Sequence, residues 1–135
     1  MAKSKVPSVK TLKVKLWDLC KKIIRKTYDD GNGEWNCFTC GKHIDEPHKA
    51  HTGHFIPSAS CGAYLRYDLR NLRVQCYYCN INLGGNGATY YKNLVEEKGK
   101  KYVDQIFKDK QISVKADWMW FETKIEEYEE ILAKS

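Results

Sequence analysis

Apolar positions recur at helical spacing near the start of the chain. Leu12, Leu16, Leu19 and Ile23 follow one another at intervals of four, three and four, which places them on one helical face. Trp17, Cys20 and Ile24 widen that face, and Lys13, Lys15, Lys21, Lys22, Arg25 and Lys26 occupy much of the rest. The pattern predicts a helix over about 9–29, stopped by Asp29-Asp30-Gly31-Asn32-Gly33. Two more helices are expected over about 88–98, with Tyr91, Leu94 and Val95 inward and Gly99 as stop, and over about 100–109, using Tyr102, Val103, Ile106 and Phe107. A last amphipathic helix over about 115–133 puts Trp118, Phe121, Ile125, Tyr128 and Leu132 on one face. The middle reads differently. Residues 50–56 suggest a short strand ended by Pro57, and 58–73 a loop whose Tyr64–Tyr67 segment is partly extended. A helix should start near Tyr77 and end before Gly84-Gly85-Asn86-Gly87. The expectation is one α+β domain: a flexible basic segment 1–8, a helix within 9–30, a central unit 31–87 and C-terminal helices over 88–135.

Composition narrows the class. With 42% hydrophobic and 13% aromatic residues among 135, the chain can build a small core. Eight aromatic residues beyond position 89 argue against a disordered tail. It lacks both a continuous apolar run of about 18 residues and a signal-peptide pattern, so a cytoplasmic protein is expected. In a reducing compartment the six cysteines read as metal ligands or buried thiols rather than disulfides. The net charge of +6 is uneven: residues 1–26 hold nine Lys/Arg against Asp18. Such a basic front suits a polyanion, so nucleic acid is the expected partner, with Lys21, Lys22 and Arg25 as contacts.

Two Cys-x-x-Cys pairs, Cys37/Cys40 and Cys76/Cys79, make a four-thiolate set that can close a tetrahedral Zn²⁺ site. Gly41, after the second cysteine, permits the tight backbone of a zinc knuckle. His43 and His48 are nearby alternatives to one of the cysteines, whereas Cys20 and Cys61 read as small packed thiols. Between the pairs lie His51 and His54, three apart on a strand and so facing opposite sides. A neutral imidazole at His54 can take a proton from water near neutral pH. Asn80, directly after a zinc ligand, can offer its amide oxygen to a hard cation such as Mg²⁺.

In order along the chain, Cys37-Phe38-Thr39-Cys40-Gly41, Gly53-His54-Phe55, Leu65-Arg66-Tyr67-Asp68-Leu69-Arg70-Asn71, Gln75-Cys76-Tyr77-Tyr78-Cys79-Asn80, Gly85-Asn86 and Tyr90-Tyr91-Lys92 resemble the HNH, or ββα-metal, nucleases, and among them the phage NinG/Rap group. The resemblance implies a zinc-stapled ββα-metal (HNH) core with flanking helices, encoded by a phage or prophage in a bacterial host. It implies His54 as general base, Asn80 as ligand of a catalytic Mg²⁺ or Mn²⁺, Asn71 as the residue that holds the loop and orients the histidine, and the four cysteines as the structural zinc site. Many HNH enzymes carry aspartate immediately before the base, where this chain has Gly53. The second metal ligand is therefore open between His51 and Asp68.

The reaction so implied is hydrolysis of DNA phosphodiesters, on branched or Holliday-junction-like substrates in recombination. Arg66, Arg70 or Arg73 would clamp neighbouring phosphates. Symmetrical cutting favours a two-fold homodimer, for which the last helix offers an apolar stripe. Two alternatives stand beside this: a non-catalytic zinc-ribbon module that binds nucleic acid, and an HNH nuclease of phage DNA packaging.

Overall fold

In the computed structural model, residues 6–135 are described; most of the expected flexible segment 1–8 lies outside them. The order is α1 (Val9–Thr27), β1 (Trp35–Asn36), β2 (His43–Ile44), β3 (His51–His54), α2 (Ala63–Arg66), β4 (Leu72–Gln75), a π-helical turn (Tyr78–Asn82), α3 (Gly87–Lys98), α4 (Lys100–Asp109) and α5 (Trp118–Lys134). This is a mixed α+β domain, mostly helical, with two small antiparallel sheets, β1–β2 and β3–β4. Among the described residues, no helix is long and apolar enough to cross a membrane.

Helix α1 starts where Ser8 Oγ accepts the Thr11 amide at 3.1 Å, a side-chain N-cap. Its expected face is buried: Leu12, Leu16, Leu19, Cys20, Ile23 and Ile24. Against it lies α5, whose Phe121, Ile125 and Tyr128 are buried in the same cluster. The apolar stripe expected to serve a dimer is thus covered by α1. Tyr128 donates its hydroxyl to the Tyr67 carbonyl, which ties α5 to the central unit. A second cluster gathers Phe55, Ile56, Leu65, Tyr90, Leu94, Val103 and Ile106 beneath α3 and α4.

Two local expectations are corrected. The segment around Tyr64–Arg66 is helical rather than extended, because Leu65 is buried and Arg66 draws the chain round by donating to the Ser58 and Cys61 carbonyls at 3.0 and 3.2 Å. In α3 it is Tyr90, not Tyr91, that turns inward; its hydroxyl donates to the Gly53 carbonyl at 2.8 Å.

The sheet β3–β4 pairs His51 with Gln75, Thr52 with Val74, Gly53 with Arg73 and His54 with Leu72. All four residues of β4 are buried. Arg73, offered above as a phosphate clamp, is 1% exposed. It donates to Glu97 Oε1 from Nη2 at 2.8 Å and from Nη1 to the Leu72 carbonyl at 2.7 Å. Its guanidinium lies 5.2 Å from the Tyr28 ring centroid and 5.5 Å from that of Phe38. Arg73 is an internal brace, out of reach of DNA.

Breaking a buried ion pair from one side leaves an uncompensated charge and costs about 3–5 kcal/mol. Arg73→Ala should lose stability of that order in urea unfolding, whereas a DNA clamp would lose affinity at unchanged stability.

Candidate functional site

The knuckle sulfurs converge. Sγ atoms of Cys37, Cys40, Cys76 and Cys79 all lie within 4.8 Å of one another. The Cys40–Cys76 separation is 3.7 Å, close to the edge of about 3.8 Å that a tetrahedron with Zn–S of about 2.3 Å requires. Local backbone sets this up. Gly41 has φ of +79°, which closes the first knuckle, and the Cys40 and Cys79 amides each approach the first sulfur of their pair at 3.5 Å. Asn86, at φ of +53°, brings its Nδ2 to 3.7 Å from Cys79 Sγ. Trp35 Nε1 donates to the Arg25 carbonyl at 2.7 Å and fastens the first knuckle to α1.

Charge on this cluster calls for a cation. Burial pushes the Cys37 thiol up, but the Cys40 amide and the Thr39 hydroxyl outweigh it and bring it to about 6. Burial and the neighbouring sulfurs push Cys40 up to about 12, and burial raises Cys76. Four sulfurs this close can hold a divalent metal such as zinc, which favours their thiolate forms. The histidine alternatives are engaged elsewhere: His43 Nε2 meets Glu34 at 2.6 Å and His48 meets Glu46 at 3.6 Å. Cys20 is fully buried, its thiol pushed to about 12 by burial, and serves packing.

His54 ends β3. Its Nε2 lies 2.9 Å from the Arg66 carbonyl oxygen, an acceptor only, so Nε2 carries the proton and Nδ1 is the basic nitrogen. The ring stacks on Trp17 of α1, with centroids 5.1 Å apart and planes 9° from parallel. Burial lowers the His54 pKa, the Arg66 carbonyl opposes that, and the Arg66 charge adds to the lowering. The imidazole is therefore neutral at neutral pH.

Just beyond it, Asn71 is completely buried. Its Oδ1 accepts the Ile56 amide at 2.7 Å, and its Nδ2 donates to the Ile56 and Leu65 carbonyls at 3.0 and 3.3 Å. The asparagine clamps the chain that leaves β3 to the segment carrying Arg66, and so fixes both partners of the His54 bond.

Asn80 sits in the middle of the π-helical turn, directly after Cys79. Its Nδ2 donates to His51 Nδ1 at 3.2 Å. That bond orients the amide and leaves Oδ1 without a protein partner among the described residues. Two clefts meet at Asn80. One, of about 210 Å³, is lined by His54, Pro57, Ser58, Asn80, Gly84 and Gly85. The other, of about 330 Å³, brings in Lys21, Arg25, His48 and His51.

Not every candidate arrives there. Asp68 lies in a different cleft with Leu69 and Lys124; its carboxylate caps the turn at Arg70 and binds the Arg70 guanidinium at 2.6 Å. Arg70 also holds Asp109 at 2.8 Å, so neither residue is available for metal or phosphate. Arg66 spends its guanidinium on loop carbonyls. Lys22 pairs with Asp18 at 3.0 Å. His51 has its Nδ1 engaged by Asn80 and acts as the orienting residue.

Gly53 also has a local cause. A Cβ there would lie 1.8 Å from Gln75 Oε1. Gln75 is fully buried, donating to Thr39 Oγ1 at 3.1 Å and the Gly85 carbonyl at 2.8 Å. An aspartate before His54 would have to displace the buried Gln75 amide and its two hydrogen bonds. Trp17 is the contributor to which the sequence pattern assigns no role at the site; Gln75 and Asn86 stand in the resembling stretches without an assigned part.

Structural zinc sites contribute about 10–16 kcal/mol, as much as the whole stability of a typical domain, about 5–15 kcal/mol. Cys79→Ser, or stripping with a strong chelator, should therefore remove one zinc per chain by elemental analysis and abolish cooperative thermal unfolding. Undiminished folding without metal would remove the structural-metal reading.

The family model described as "Bacteriophage Lambda NinG protein" matches residues 1–134. Curated relatives are NinG proteins of Salmonella phage P22, 36% identical over 73 residues, and of Escherichia phage 933W, 34% identical over 70 residues. These alignments cover 54% and 52% of this chain, and 34% and 33% of the relatives. The NinG protein of Escherichia phage lambda is 33% identical over 70 residues, covering 52% of this chain and 33% of its own. The matched part is thus about a third of the length of these relatives. No solved structure matches the chain. With the match running from the first residue to the last but one, the chain belongs to the bacteriophage lambda NinG family.

Proposed function

We propose that this chain is a metal-dependent DNA endonuclease, in which His54 is the general base and Asn80 helps to hold the catalytic cation. The observation that carries the reading is the shared cleft. His54, neutral and donating its Nε2 proton to the Arg66 carbonyl, lines the same 210 Å³ space as Asn80. The β3–β4 pair followed by a short helical turn bearing Asn80 has the strand–strand–helix order of a ββα-metal core, which supports the same reading.

The chemistry follows from the residues. His54 Nδ1 accepts a proton from water as the water oxygen attacks phosphorus, and the bond from phosphorus to the sugar oxygen breaks, that oxygen taking a proton from solvent water to leave as a hydroxyl. Trp17 keeps the imidazole plane fixed and one face dry. Asn80 Oδ1, with water and phosphate oxygens, would hold Mg²⁺ or Mn²⁺, whose charge offsets that developing on the phosphoryl group. Lys21 and Arg25, lining the adjoining cleft, would neutralise flanking phosphates. Branched recombination DNA is the substrate class that the resemblance to the NinG/Rap group favours.

Removing a general base costs about 10²–10⁴-fold in rate. His54→Ala should lose plasmid nicking by that factor in Mg²⁺ or Mn²⁺, with zinc content and DNA affinity unchanged; nicking at the parent rate would end the assignment. The base works unprotonated, and burial lowers its pKa, so the rate should hold at neutral pH and fall only below the ordinary imidazole value of about 6.5. A pH–rate profile with its acid limb above that value would contradict the environment described for His54.

A further inference from the structure

Large apolar side chains crowd the outer surface of the metal knuckle. Tyr77, Tyr78, Ile81 and Leu83 are 59%, 58%, 54% and 45% exposed. They are held out by construction. Cys76 and Cys79 are buried at the sulfur cluster, so the two residues between them must face outward. The π-helical bond from the Leu83 amide to the Tyr78 carbonyl, 2.9 Å, then fixes the turn that presents Ile81. Exposed apolar groups on so rigid a support mark an interaction surface.

Charge and position decide what covers it. Asp68 is the sole acid between Pro47 and Val95, and Arg70 ties it down. Across Asn80, Lys21 and Arg25 have no carboxylate partner among the described residues. Tyr77 packs edge-on against His51, the residue that orients Asn80, with ring centroids 5.6 Å apart. Asp45 lines a cleft with Tyr77, but Lys42 and Lys49 line it too. Aromatic faces where cations outnumber acids suit a ligand that is anionic along its backbone and flat at its side groups: a nucleic-acid strand.

We propose that Tyr77, Tyr78 and Ile81 form a base-stacking surface that receives unpaired nucleobases next to the phosphodiester at Asn80. Paired bases inside a duplex cannot reach such a surface, so it selects DNA with locally unstacked bases. The proposal rests on the nuclease reading for the place of the phosphodiester, and the test separates the two.

The probe is an oligonucleotide carrying 2-aminopurine, single-stranded or in a duplex of equal length, at one fixed salt concentration. Binding is measured on His54→Ala, and on the same chain with Tyr78→Ala and Ile81→Ala added. Single-strand binding should quench the 2-aminopurine emission; the added pair should abolish quenching and weaken that binding by about tenfold, with duplex affinity within about twofold. Tyr78→Trp should restore quenching, and unchanged zinc content shows that the variants fold. Unaltered quenching and affinity would overturn the proposal, as would a dimer in sedimentation that the pair of substitutions dissolves without touching DNA affinity. Cleavage is scored separately on the chain with His54 intact. Stacking without cleavage supports this surface and removes the nuclease reading; cleavage with unaltered quenching overturns the surface and leaves that reading in place.

Discussion

Convergence of four sulfurs is the constraint from which the rest of the central unit hangs. Thirty-five residues separate Cys40 from Cys76, and a loop of that length gains little from local contacts to offset its closure entropy. Once the sulfurs are joined, both ends of β3–β4 are positioned. The Phe38 amide donates to the Val74 carbonyl at 2.8 Å, which lays the first knuckle along β4. The second knuckle hands the chain straight into the turn that bears Asn80. A short sheet of four-residue strands has little stability by itself. Here the cluster at one end and α1 on one face hold it.

The two hydrophobic clusters meet at His54. Leu72 and Val74 pack with α1 and α5, whereas Phe55 and Ile56 belong with α3 and α4. A polar ring at that seam is dry enough to stay neutral yet borders an open cleft. Asn71 makes the seam rigid: a wholly buried amide whose donors and acceptor are all engaged fixes backbone on both sides of the histidine. The catalytic reading thus depends on an interior polar network whose bonds offset the cost of burying it.

The sequence displayed the helices and the sulfur cluster because each leaves a local periodic or spacing signature. Leu12, Leu16, Leu19 and Ile23 are all buried, as their intervals require. Strand β4 left no such trace. Both of its faces are covered, so Leu72, Arg73, Val74 and Gln75 show no alternation. The inward turn of Tyr90 rather than Tyr91 was equally hidden, since adjacent tyrosines differ only in what each hydroxyl can reach. His54, Asn71 and Asn80 entered the candidate site through motif order. The Trp17 stack was not, because that residue also fits the ordinary apolar face of α1.

The three arginines read as phosphate clamps show how charge misleads when burial is unseen. A guanidinium offers five donors in a rigid fork, which suits it to closing loops over carbonyls as well as to gripping phosphates. Arg66 closes a loop over carbonyls, Arg70 is held by Asp68 and Asp109, and Arg73 bonds both carbonyls and Glu97. The charges of Arg70 and Arg73 are paired inside the fold, and the Arg66 donors are spent on carbonyls. The cations that line the cleft at Asn80 come from α1, an element distant in sequence that reaches the site because its apolar face packs onto β3–β4. The same helix supplies Trp17 to His54 and Lys21 and Arg25 to the adjoining cleft. Its hydrophobic face, by burying itself, therefore sets the electrostatics of the site: loosening that packing would move the cations and the imidazole's dry wall together.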